Sequence, residues 1–249
     1  MRYFIEFAYN GKNYHGWQSQ PNAVSIQETL AKGLSIILRK EIELMGAGRT
    51  DTGVHAKQMY AHFDVEEKLD TAFLTAKLNS FLPKDIVIFD LILVSDEAHA
   101  RFDATKRTYE YHIHTFKSAF ENGSSWYFMQ KLDLDKMNEA TKLLFYYSDF
   151  QCFSKVNTDV KTFNCKIVEA NWKQEGHKII FTISADRFLR NMVRAIVGTI
   201  VEIGSGKKEL EDFKKIIESK DRSQAGTSAP AHGLYLTKVE YPYINNFKE

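Results

Sequence analysis

The hydrophobic period along this chain alternates between two and 3.6 residues in an order that occurs twice, and that repeat limits the possible folds more than any other feature. Residues 2–9, RYFIEFAY, are aromatic and β-branched enough to form a strand. Ser25 and Glu28 make a capping-box pattern that opens a helix with Ile26, Leu30, Leu34 and Ile37 on one face. Strand-like runs at 41–47 and 57–64 follow, with the loop GRTDTG between them. Leu74, Leu78 and Phe81 mark a second helix before the apolar strand IVIFDLILV. The second half repeats the order. KRTYEYHIHTF reads as a strand and DLDKMNEATKLLF as a helix. Strands over 164–174 and 177–185 come next, then a helix starting near Asp186, another over 209–219, and GLYLTKVEY as the closing strand. Each half is a βαββαβ unit of the ferredoxin or RNA-recognition kind. The pattern therefore predicts an α+β protein with halves at 1–100 and 101–249. They are expected to share one large, mainly antiparallel sheet with helices on one face and the other face bare for a ligand. The junction at 95–105 has no glycine or proline, so the halves should pack together rather than hang on a tether.

Charge and cysteine usage narrow the class. Lys and Arg number 33 against 32 Asp and Glu, so no global basic field announces a nucleic acid, although a local patch would suffice. The two cysteines, Cys152 and Cys165, give neither a disulfide framework nor a zinc spacing, which suits a reducing cytoplasm. The N-terminal residues lack the apolar core of a signal peptide. The most apolar stretch, FLRNMVRAIVGTIVEIG, is interrupted by Arg190 and Arg194, so no membrane span is expected.

GAGRTDTGVHA, residues 46–56, places Asp51 among Gly48, Arg49, Gly53 and His55. A glycine loop that cradles phosphate should offer bare amides, not a competing carboxylate. Asp51 also stands where a dinucleotide fingerprint wants its third glycine. Two readings remain: an acid that caps a turn, or a carboxylate held on a short, rigid loop for use as nucleophile or base. Farther along, Arg187, Arg190, Asn191 and Arg194 fall within roughly a 100° arc if a helix starts near 186. That helix is otherwise apolar and offers few acidic partners at helical spacing, so the arginines should face water, an acid or a polyanion. On the strand KRTYEYHIHTF, Arg107, Tyr109 and Tyr111 share a face by their period of two. They are either cross-strand packing or a platform for a nucleobase. His112 and His114 lie on the opposite face and are too few for a metal site. The early segment NGKNYHGWQSQ is either a hairpin-like connection or a surface that grips RNA.

GAGRTDTGVHA, YNGKNYHGWQSQ, ARFDATKRTYEY, FLRNMVRAIVG and APAHGLYL occur in the order found in the tRNA pseudouridine synthase A family, which this chain resembles from about residue 3 to residue 243. Position 52, Thr here, is often Ala in that family. The resemblance implies the pseudouridine synthase fold and a homodimer that isomerises uridine at positions 38, 39 or 40 of the tRNA anticodon stem-loop, with no metal or organic cofactor. It implies that Asp51 is the catalytic aspartate, which forms a covalent adduct with the nucleotide. Arg49 matches the arginine that helps push the uridine out of the stack. Tyr109 matches the tyrosine that packs on the base and can remove the C5 proton. Arg190 matches the basic residue paired with the aspartate, and Leu234 an apolar wall. Gln18, Lys57, Arg107, Tyr111, Arg187 and Arg194 are expected on the RNA side. Two rivals stand beside this: a non-catalytic RNA-binding module of paired halves, and a carboxylate-dependent hydrolase, which would ordinarily need a second acid.

Overall fold

The computed structural model describes residues 1–156 and 160–244. In chain order the regular elements are β1 (Arg2–Tyr9), α1 (Ile26–Leu38), β2 (Met45–Gly46), β3 (His55–Asp64), α2 (Thr71–Phe81), β4 (Ile86–Val94), β5 (Lys106–His114) and β6 (Trp126–Tyr127). They continue with α3 (Leu134–Leu143), β7 (Ile167–Glu175), β8 (Lys178–Ala185), α4 (Met192–Gly204), α5 (Leu210–Ser219) and β9 (Leu234–Glu240). The class is α+β, and the sheet is mainly antiparallel. By contact the chain divides into Met1–Thr105 with Leu236–Glu249, and Lys106–Tyr235. The last strand therefore begins in the second unit and ends in the first. No helix among the described residues is long and apolar enough to cross a membrane.

In the first unit the strand order is β4-β1-β3, with Leu236–Glu240 of β9 beyond β3. Ile5 of β1 lies opposite Ala61 of β3 and Leu91 of β4. Tyr3, Ile5, Phe7 and Tyr9 are buried, whereas Arg2, Glu6 and Ala8 on the alternate face are only half covered. Period-two burial of this kind leaves one face of a sheet to solvent. Phe4 breaks the alternation, because Tyr241 and Tyr243 close over it at centroid distances of 5.2 and 6.2 Å. Helix α1 starts where the capping pattern predicts: the Ser25 Oγ accepts from Glu28 N at 3.2 Å. Helix α2 is capped by Asp70, which accepts from Phe73 N at 3.0 Å.

In the second unit the order is β5-β8-β7, with the short β6 parallel to the end of β5 and Leu234–Tyr235 of β9 beside β5. Helix α4 is buried at all but two of its thirteen positions, as its apolar sequence requires. The two units share one device. Asn79 of α2 donates to Ile88 O and accepts from Ile88 N, both at 2.8 Å. Asn138 of α3 does the same to Trp172 of β7, at 3.1 and 2.9 Å. β4 and β7 end their strand orders, and each asparagine amide satisfies strand backbone groups that have no further strand to meet.

Several boundaries differ from the sequence pattern. The run at 41–47 keeps only a two-residue strand, β2. β7 begins at Ile167 rather than 164. The helix expected near Asp186 begins at Met192, after Asn191 in the left-handed conformation at φ 68°. Asp186 provides the reason: its carboxylate accepts from Lys166 N at 2.8 Å and Arg187 N at 2.7 Å, which holds the backbone in an irregular path. Arg187, Arg190 and Asn191 are therefore not on a helix face, and the shared arc predicted for them with Arg194 does not form.

Candidate active site

Asp51 stands in the connection from β2 to β3, half-buried, and its carbonyl accepts from Val54 N at 3.1 Å to close the turn. The segment after β1 clamps this connection along its length. Trp17 N donates to Thr50 O at 3.4 Å and Gly53 N to Tyr14 O at 3.2 Å. Gly11 N donates to Nδ1 of the buried His55 at 3.0 Å, which makes His55 a support. Tyr9 and Thr50 hydroxyls meet at 2.8 Å. Gly11 and Gly16 are required by the closeness of the two chains. A Cβ on Gly11 would lie 1.9 Å from Val54 O, and one on Gly16, at φ +84°, would lie 2.2 Å from Thr50 O. The clamp is itself anchored by Asp85, whose carboxylate accepts from the Tyr14 hydroxyl at 2.6 Å and whose carbonyl accepts from Asn10 N at 2.8 Å. Burial and that acid hold the Tyr14 hydroxyl well above the usual phenol range, so it stays a donor. The segment NGKNYHGWQSQ is thus the support of the Asp51 loop. Gln18, just beyond the clamp, is exposed, as are Arg49 in the loop and Lys57 on β3.

The second unit carries the remaining candidates. Tyr109 on β5 is half-exposed and meets Phe188 edge to face, with centroids 5.1 Å apart. Beside it, Arg107 Nη1 donates to Asp186 O at 2.7 Å. Arg107, Tyr109, Asp186, Arg187 and Phe188 are therefore brought together by the irregular stretch before α4. Arg190 closes that stretch, exposed, and its carbonyl accepts from Lys155 N at 2.9 Å.

Two predicted contact residues turn out to hold the chain. Tyr111 is fully buried (0% exposed), edge-on to Trp126, with its hydroxyl donating to Pro230 O at 2.8 Å. Its ring has no face open to a base, so of the two tyrosines only Tyr109 is left as a candidate platform. Arg194 Nε donates to Ala229 O at 2.8 Å, and Ala229 N donates back to Arg194 O at 2.9 Å. Arg222 and Asn191 both reach Ser228 Oγ, at 2.8 and 2.7 Å. Together these fix the segment that leads into Leu234, which is 6% exposed. Tyr14, Trp17, Asp85, Phe188 and Arg222 escaped the sequence reading. Of these, only Trp17 and Tyr14 gave a signal, as large aromatics in a glycine-rich connection. Cys152 and Cys165 are both pushed up to about 12 by burial, so they remain protonated and are not nucleophiles.

A family model described as tRNA pseudouridine synthase matches residues 140–242. The tRNA pseudouridine synthase A of Bacteroides fragilis is 57% identical over 244 residues, covering 97% of each chain. That of Parabacteroides distasonis is 54% identical over 242 residues, covering 97% of this chain and 96% of the relative. A more distant relative of the same name, from Aliivibrio salmonicida, is 38% identical over 245 residues, covering 97% and 93%.

Proposed function

Since this chain belongs to the tRNA pseudouridine synthase A family, and is an isomerase of uridine in tRNA, we propose that it acts at one or more of positions 38, 39 and 40 of the anticodon stem-loop, through a covalent adduct of Asp51 with a flipped nucleotide. The observation that carries this reading is the clamped loop. A carboxylate is presented half-exposed on a backbone that residues 10–17 hold along its length. A chain that only needed to cap a turn would have no use for such support, whereas a nucleophile does, because small misplacements of a reacting group are costly.

The chemistry assigns the other roles. The N1–C1′ bond breaks, the C5–C1′ bond forms, the C5 proton leaves and N1 gains one. Asp51 is both nucleophile and leaving group. Arg49 helps push the uridine out of the stack, at a cost of a few kcal/mol that phosphate contacts offset. Tyr109, its ring set by Phe188, packs on the detached base and receives the C5 proton. Arg190 serves as counter-charge to the aspartate, and Leu234 as the apolar wall that keeps the base from escaping. Lys57, Gln18, Arg107 and Arg187 meet the RNA. A homodimer in the cytoplasm completes the reading, on the family resemblance alone.

Tritium release from tRNA labelled at uridine C5 tests it, because C5 loses its proton only on becoming the glycosidic carbon. The native protein should release tritium and Asp51→Ala should not. Bound tRNA with no release from either protein would instead mark an RNA-binding module. Release from both would remove Asp51 from its role.

A further inference from the structure

The glycines around the Asp51 loop have local reasons to be glycine, with one exception. Gly11 and Gly16 face carbonyl oxygens too close for a Cβ, and a Cβ on Gly46 would lie 2.4 Å from the Trp17 ring. Gly53 has φ +80°, which favours glycine in any surroundings. Gly48 has none of these constraints. Its φ lies outside the left-handed range, and a Cβ built on it would meet nothing within 4 Å. The residue is half-buried, yet that side opens on empty space, and among the described residues neither its amide nor its carbonyl is hydrogen-bonded. Next to it, the exposed Arg49 has no ion pair or hydrogen bond among the described residues.

An alanine would fit Gly48's backbone and lose less entropy on folding, so the fold gains nothing from the missing Cβ. A ligand that must come against the main chain does. The neighbouring cation selects its chemistry, because a guanidinium matches a phosphate, and a bare amide adds a second donor to the same anion. Resting on the function proposed above, we infer that the sugar–phosphate backbone of the bound tRNA lies directly on Gly48, with its phosphate taken by Arg49. This contact fixes how deeply the target nucleotide seats against Asp51. Gly48 is then a positioning residue whose contribution is the absence of a side chain.

The test is a size series, Gly48→Ala and Gly48→Val, assayed for single-turnover tritium release at saturating tRNA and for melting temperature. A displacement of about 1 Å at a reacting centre costs about 100-fold. Alanine should therefore lower the rate roughly 10-fold and valine about 100-fold or more, with melting temperatures no lower than that of the native protein. Native rates in both variants would overturn the inference and leave the proposed function intact. Rate losses that follow losses in melting temperature would overturn it too, by making Gly48 a structural residue. A native protein that releases no tritium overturns both.

Discussion

Two irregular stretches carry Arg49 with Asp51 and Arg187 with Arg190, and they are held by opposite means. The Asp51 loop is fixed by main chain against main chain: residues 10–17 run beside it so closely that Gly11 and Gly16 admit no side chain. The stretch 186–191 is fixed by side chains acting on main chain. Asp186 takes two amides, Arg107 takes the Asp186 carbonyl, and Asn191 holds Ser228 from a left-handed backbone. Backbone packing tolerates no added atom, whereas a polar side chain can be replaced at the cost of its own bonds. The first stretch should therefore fail abruptly on substitution and the second gradually.

The largest expected effect tests the first half of that contrast. Gly16→Ala forces a Cβ onto Thr50 O at an unfavourable φ, and should cost about 3 kcal/mol in urea unfolding and abolish most tritium release. A fully active, native-like Gly16→Ala would break the comparison. Next come the paired asparagines. Asn79→Ala and Asn138→Ala each remove two bonds to a terminal strand, and each should cost about 2 kcal/mol. Clearly unequal losses would mean that the two units do not rely on this device alike.

Asp186→Ala should cost about 1–2 kcal/mol and lower activity without abolishing it, because Arg107 and Phe188 lose their fixed backbone but remain present. Hydrogen exchange should show amides 187–190 less protected, and a Gly16-like collapse here would contradict the side-chain mechanism. The smallest effect is that of Asn191→Gly. Glycine relaxes the left-handed residue while losing the Ser228 bond, so stability should stay within about 0.5 kcal/mol of native. A loss above 2 kcal/mol, measured by urea unfolding, would make the Ser228 contact the main restraint.

What was legible follows the same division. Asp51 stood out because a lone acid among glycines beside an arginine fits few roles. Both helices of the first unit could be read from their apolar spacing, with Ser25 marking the start of α1. The start of α4 could not, because Phe188 and Leu189 continue a helical rhythm that Asp186 interrupts through bonds to residues twenty positions away and next door. Tyr109 and Tyr111 are indistinguishable by period. They separate only because the 230–234 segment covers the second ring.

The sequence by itself determined the α+β class, the order of elements, the family and the loop that presents Asp51, because hydrophobic period, capping residues and glycine patterns act over a few residues. Tertiary structure alone decided which residues support that loop, where α4 begins, that Tyr111 is buried, and that the last strand returns to the first unit. Each of those depends on partners far away in the chain, such as Asp85 for Tyr14 and Pro230 for Tyr111. Local pattern contains no record of a contact that forms only when the chain closes on itself.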